Sequence, residues 1–235
     1  LSSAIVRDHL RRIGSGEMPE GSLLPPESVI CEEYSVGRSV VRDALQALHA
    51  KGFIVVRQGS VASVAPRYRW NVLDSDFLAV NSGSEFYSEL QAAREAIEPQ
   101  VAALAALNAS DETIEQLDAL NKLLAEQKKS PEQHSRLDIE FHETLAFASG
   151  NSILASFHSS LTSLGQRTRS ASATIPGAID RALVWHLQIL DAVRERDPVA
   201  AAAAMQLHLR QVRGEIARLE EHELLPDPAT ASEPV

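Results

Sequence analysis

LLPPESVICEEYSVGRSVVRDALQALHAKGFIVVRQG, residues 23–59, is the stretch around which the rest of the chain is organised. Pro26 starts a helix at no cost, because its fixed φ and missing N–H are harmless in a first turn, and Glu27 sits where the helix dipole favours an acid. That helix runs to about Tyr34. After a break at Ser35–Gly37, Val41, Ala44, Leu45 and Leu48 recur at helical spacing, while Arg38, Ser39, Arg42 and Gln46 line the opposite face. One face packs and the other reaches outward. Gly52 ends the second helix. Phe53–Arg57 and Val61–Val64, β-branched on either side of Gln58-Gly59-Ser60, read as a small hairpin. Two short helices at a tight turn, arginines at the start of the second, and a following hairpin match a winged helix-turn-helix whose second helix enters the major groove of DNA. On spacing alone, Arg38 and Arg42 would equally suit a solvated charged face.

The pattern Leu24-Pro25-x-Glu27, then Val36-x-Arg38-Ser39-x-x-Arg42-x-Ala44-Leu45-x-x-Leu48-x-x-x-Gly52, resembles the DNA-binding domain of GntR-type bacterial regulators. The resemblance implies DNA contact by Ser28, Arg38, Ser39 and Arg42, and by the wing tip, Gln58 and Gly59. Two positions depart from the family pattern. Gly37 stands where Ser or Thr commonly caps the helix, and Val61-Ala62 replace a Gly-Thr pair in the wing.

The chain has 235 residues, 44% hydrophobic and only 5% aromatic, enough for two domains and better suited to packed helices than to a β-sandwich. No apolar run is long enough to span a membrane, and no secretory signal pattern opens the chain. One cysteine, Cys31, cannot build a disulfide framework, and a cytoplasmic location is expected. The net charge of −10 is unevenly spread: residues 1–70 hold nine Lys and Arg against seven Asp and Glu, residues 71–235 thirteen against twenty-five. The acidic second part is repelled by phosphate and leaves DNA to the first.

Ala4, Ile5, Val6, Leu10 and Ile13 mark a leading helix. The expected domains are a winged helix over 1–67, a linker over 68–84 with Tyr68 and Trp70 packed at the junction, an all-α bundle of six or seven helices over 85–224, and a disordered tail over 225–235. The fold class is thus mainly α. In the bundle, the first helix shows Leu90, Ala93, Ile97, Val101, Leu104 and Leu107 at helical spacing. Ser110 and Ser130 are helix caps, and Ser130-Pro131-Glu132-Gln133 has capping-box spacing.

Asp138 and His142, four apart on one helix, project from the same face. Asp197-Pro198 is a strong helix start between the last two helices, so these run antiparallel, and His186 and His208, each eleven residues from 197, face each other. One carboxylate and three imidazoles suit a divalent transition metal. Zinc is the first choice, with nickel and manganese as alternatives. The other histidines read as ordinary packed or solvated residues.

Asp138-x-x-Phe141-His142, Ala148-Ser149-Gly150-Asn151, His186 with Arg196-Asp197-Pro198, and His208 resemble the FCD ligand-binding domain of the FadR-like GntR branch. The resemblance implies that Asp138, His142, His186 and His208 hold a metal and that Arg94 faces the pocket of a small organic acid effector. Trp70-Asn71-x-Leu73-Asp74-x-Asp76-x-Leu78 is similar to the linker of galactonate-type regulators and points to a sugar acid. The expected protein is a homodimeric regulator on a palindromic operator. The alternative is a metal-dependent enzyme acting on a small carboxylate, for which neither Glu140 nor Glu143 is placed as a general base.

Overall fold

The computed structural model describes residues 1–56, 61–80 and 84–221, without the side chains of 84–85, 163–168 and 219–221. It comprises two compact units, the first running to residue 83 and the second beginning at Ser84.

In the first unit, α1 (Ser2–Gly14) buries Ile5, Val6, His9, Leu10 and Ile13 and leaves Ala4 exposed. The turn between α2 (Glu27–Glu33) and α3 (Arg38–Ala50) is made by Ser35, whose φ is 51°, while Gly37 is extended and open space surrounds the position of a Cβ. α3 buries Val41, Ala44 and Leu48 and exposes Arg38, Ser39, Arg42 and Gln46, as the spacing predicts. Strands β1 (Ile54–Val55) and β2 (Ser63–Val64) pair antiparallel, Ile54 with Val64 and Val55 with Ser63, and Leu23 bridges to Ser63. The wing tip, with Gln58 and Gly59, lies outside the described residues.

The segment expected to be a plain linker carries structure of its own. A 3-10 turn covers Arg67–Arg69, and α4 (Ser75–Val80) sits against α1. Phe77 stacks on Phe53 with ring centroids 4.8 Å apart, and Trp70 donates its Nε1–H to the Ala65 carbonyl at 2.7 Å. Lys51 reaches both Asp74, at 2.5 Å, and Asp76, at 2.9 Å. Tyr68, expected to pack, is 88% exposed, because the 3-10 turn rotates it away from the aromatic cluster that takes Trp70. Gly52 locks this arrangement: its φ is +81°, and a Cβ there would lie 2.2 Å from the Arg69 carbonyl oxygen. Gly52→Ala is therefore expected to destabilise the first unit by at least about 2–3 kcal/mol, from left-handed strain plus displacement of the backbone at Arg69. Chemical denaturation followed by Trp70 fluorescence in a Trp185→Phe background measures it, and an unchanged midpoint would contradict the account.

The second unit is a bundle of α5 (Ser84–Asn108), α6 (Asp111–Glu126), α7 (Pro131–Ala148), α8 (Ser152–Ser172), α9 (Ala178–Arg194) and α10 (Pro198–Glu221). Ser110, Ser130 and Asn151 cap α6, α7 and α8 through side-chain oxygens that accept first-turn N–H bonds. Asp197 does the same for α10, accepting from Val199 and Ala200 at 2.9 Å each, so α9 and α10 form a tight antiparallel hairpin. α5 is central, packed against α7, α8, α9 and α10. Its inward face follows the apolar spacing at Leu90 and Val101 and departs from it elsewhere: Gln91, Arg94 and Glu98 are buried, as are Ala102, Ala105 and Ala106, while Leu107 is exposed. The apolar core, including Leu117, Leu124, Phe141, Leu145, Ile189, Val193 and Leu209, adjoins these inward polar groups.

Candidate functional site

The histidines occupy positions that the core stripe would otherwise fill with apolar residues. On α9, His186 precedes buried Ile189, Leu190 and Val193, and on α10, His208 follows Ala201, Ala204 and Met205. On α7, Asp138 and His142 flank Phe141, whose ring stacks on His186 with centroids 4.6 Å apart. Helical periodicity thus turns all four candidate ligands inward. One ligand atom from each of Asp138, His142, His186 and His208 lies within 4.8 Å of the others. His186 Nε2 is 3.3 Å and His142 Nε2 3.9 Å from Asp138 Oδ1, and the His186 and His208 rings are 4.8 Å apart.

All three histidines are at most 1% exposed, and both ring nitrogens of each lack a hydrogen-bond partner. Buried polar groups are rarely left so, since each unsatisfied one costs about 1–3 kcal/mol. Three imidazoles, each bringing one ring nitrogen to a carboxylate, fit a divalent cation, which takes the lone pair of a neutral imidazole. Burial pushes His186 down to about 3, with the neighbouring imidazoles adding to the effect against Asp138, and it depresses His208 as well. Burial would raise the Asp138 carboxyl, but Arg169, followed by the three imidazoles, holds it far below the usual carboxylate range.

Arg169 on α8 is a residue the sequence reading did not single out. It is buried, pairs with Asp138 through Nη1, and leaves Nε and Nη2 unpartnered. Its only sequence signal is one of two arginines, Arg167 and Arg169, in a Ser- and Thr-rich helix, which reads as surface. Arg94, 3% exposed, donates from Nε to Glu98 at 2.6 Å and leaves Nη2 without a partner. Both arginines line a cavity of about 50 Å³ together with Ser135, Asp138, His208 and Gln211, and a smaller neighbouring one of about 10 Å³. Ser135 Oγ and Gln211 Oε1 are also unpartnered. The cavity therefore presents guanidinium donors, one amide acceptor and a hydroxyl, the requirements of an oxygen-rich anion. Glu140 and Glu143 are exposed and away from it.

His158, which the sequence presents as an ordinary packed or solvated residue, is buried next to this centre. Its Nε2 lies 3.8 Å from Glu98, and burial lowers it to about 4.

In the first unit, Ser28, Arg38, Ser39 and Arg42 are exposed around the start of α3. Arg42 Nε contacts Glu27 at 3.2 Å, the two residues being 65% and 39% exposed. A broad groove beside them is lined by Pro26, Glu27, Arg42, Gln46, Val56 and Val61, between the second helix and the wing.

Comparisons with known proteins agree with this architecture. Residues 1–64 match the family described as bacterial regulatory proteins, gntR family, and residues 89–211 match the FCD domain. The chain is 30% identical over 220 residues to the HTH-type transcriptional repressor NanR of Klebsiella aerogenes, covering 90% of this chain and 84% of that protein. It is 29% identical over 221 residues to the galactonate operon transcriptional repressor of Escherichia coli, covering 90% and 93%. A solved structure of Lar, which controls expression of the Listeria monocytogenes agr system, shares the fold with a TM-score of 0.63 at 16% identity, over 92% of this chain and 97% of that one. Among the described residues no helix is long and apolar enough to cross a membrane. With a winged helix-turn-helix at one end, an FCD bundle at the other and relatives that are regulators rather than enzymes, the chain belongs to the GntR family of bacterial DNA-binding transcriptional regulators, in its FadR-like, FCD-containing branch.

Proposed function

We propose that this regulator is a repressor whose operator binding responds to a small organic acid held beside a divalent metal ion. Asp138, His142, His186 and His208 would hold the ion, with zinc first and nickel or manganese as alternatives. When bound, it would supply a Lewis-acidic anchor for carboxylate or hydroxyl oxygens. The observation that carries the reading is that three buried imidazoles without hydrogen-bond partners each bring one ring nitrogen to the Asp138 carboxylate. Arg94 and Arg169 add charge contacts to the acid, and Gln211 Oε1 accepts from a hydroxyl. A hydroxylated acid fits this mixture better than a purely apolar one, and the galactonate operon repressor among the relatives favours a sugar acid.

At the other end, Ser28, Arg38, Ser39 and Arg42 contact the operator, with Gln58 and Gly59 at the wing tip. One winged helix buries too little surface for strong specificity, which favours a homodimer on a palindromic site.

The test is elemental analysis of the gently purified chain, followed by thermal melts with a panel of aldonic and dicarboxylic acids, with and without zinc. An acid is expected to raise the melting point only when metal is present. No divalent ion bound before or after adding zinc, nickel or manganese would reject the site. Equal acid shifts after chelation would reject its sensing role.

A further inference from the structure

We infer that Glu98 is the positioning residue of this site: one carboxylate sets His142 to present Nε2 toward the metal centre and sets Arg94 to present its free guanidinium edge toward the acid. The inference rests on the metal reading above. Glu98 lies on α5, 1% exposed, within the inward polar run Gln91, Arg94, Glu98. Its Oε1 accepts from Arg94 Nε at 2.6 Å, and its Oε2 lies 3.4 Å from His142 Nδ1. His142 Nε2, across the ring, is on the side of Asp138 Oδ1, at 3.9 Å.

A neutral imidazole has one N–H and one lone pair, and a partner that can only accept fixes which nitrogen has which. Glu98 is such a partner: its carboxylate is paired with the buried Arg94 guanidinium at 2.6 Å. The proton therefore belongs on Nδ1, and the Nε2 lone pair is left facing Asp138, His186 and His208. Carboxylate-to-histidine contacts of this kind tune metal affinity by about 10–100-fold.

Both oxygens of Glu98 must accept, one from Arg94 Nε–H and one from His142 Nδ1–H. Glutamine offers one acceptor and one donor, so it can serve either neighbour but not both. The rival arrangement is a second ion on Glu98, His142 and His158, whose ligand atoms also lie within 4.8 Å of one another. That ion would take both nitrogens of a single imidazole and sit against the Arg94 guanidinium, 2.6 Å from Glu98. The geometry favours one ion.

The test uses the full chain and cobalt as the probe. The unaltered chain is expected to take up one cobalt, and Glu98→Gln to bind it about 10–100-fold more weakly in chelator competition, with Glu98→Asp, which keeps two acceptors, losing less. Long-range ¹⁵N–¹H correlation of the zinc-loaded unaltered chain should show His142 protonated at Nδ1, a readout that requires no variant to fold. Unaltered affinity in Glu98→Gln, a His142 proton on Nε2, or two cobalt ions per chain overturns the inference while leaving the metal reading intact. An unaltered chain that takes up no cobalt overturns both.

Discussion

His186→Leu is expected to make the metal-free chain more stable and at the same time unable to take up metal. His186 is fully buried, and neither ring nitrogen has a hydrogen-bond partner. Each orphaned group costs about 1–3 kcal/mol, and leucine, of similar volume, carries none while still packing on Phe141. A gain of that size raises the melting point by roughly 2–4 °C per kcal/mol in a chain of this length. Loss of one of four ligands should weaken metal binding by at least about a hundredfold, if the ~10–16 kcal/mol typical of tetrahedral zinc sites is shared among them. Calorimetry of the chelated chains and elemental analysis of the loaded ones measure the two halves. A histidine retained only for packing predicts the opposite pattern, a lower melting point with metal content unchanged. Function maintained at a cost in stability is the usual mark of a binding site.

The double substitution Arg38→Ala with Arg42→Ala should remove specific operator binding and leave the second unit folded. Both side chains are exposed on the face of α3 opposite Val41, Ala44 and Leu48. An arginine bidentate to guanine contributes about 1–3 kcal/mol of discrimination, so the pair should cost roughly 10²–10⁴-fold. If either arginine contacts phosphate instead, its removal lowers affinity for all sequences alike and reduces the salt slope by about one. Gel-shift titrations at several salt concentrations separate these outcomes. Operator affinity unaltered in the double variant would remove α3 from the interface. Because Glu27 lies 3.2 Å from Arg42, binding through Arg42 must first release that exposed pair, a small cost of about 0–1 kcal/mol.

The first unit was legible because its signals are local. Helical spacing in α3, the proline before α2 and the glycine after α3 each act within a few residues, and the burial of Val41, Ala44 and Leu48 follows. The clustering of Asp138, His142, His186 and His208 was legible for a related reason, since an i,i+4 pair and a capped hairpin are also local devices. On α5 the apolar spacing reports only part of the inward face: Leu90 and Val101 are buried as it predicts, but the bundle also turns Gln91, Arg94 and Glu98 inward and covers much of the second half with alanines, too small to register as a stripe. Arg169 was missed because its burial depends on a partner 31 residues away, Asp138, and no spacing rule reports such a pair. The structure of 67–80 was missed because Phe77 belongs to a cluster with Phe53 and Trp70 that forms only when distant segments meet.

The tight α9–α10 hairpin has a consequence for how the chain folds. Asp138 and His142 are brought together by one helical turn, and His186 with His208 by a hairpin whose loop is closed by the Asp197 cap. Four groups spread over seventy residues of sequence thus arrive as two pairs that each form through short-range contacts. Such contacts form early, because little loop-closure entropy opposes them. A single slower event remains, the docking of α7 and the hairpin onto α5, which also delivers Glu98 and Arg94. Amide exchange should accordingly show α7 and the α9–α10 hairpin as separate cooperative units, and the centre between them should open whenever either one detaches from α5.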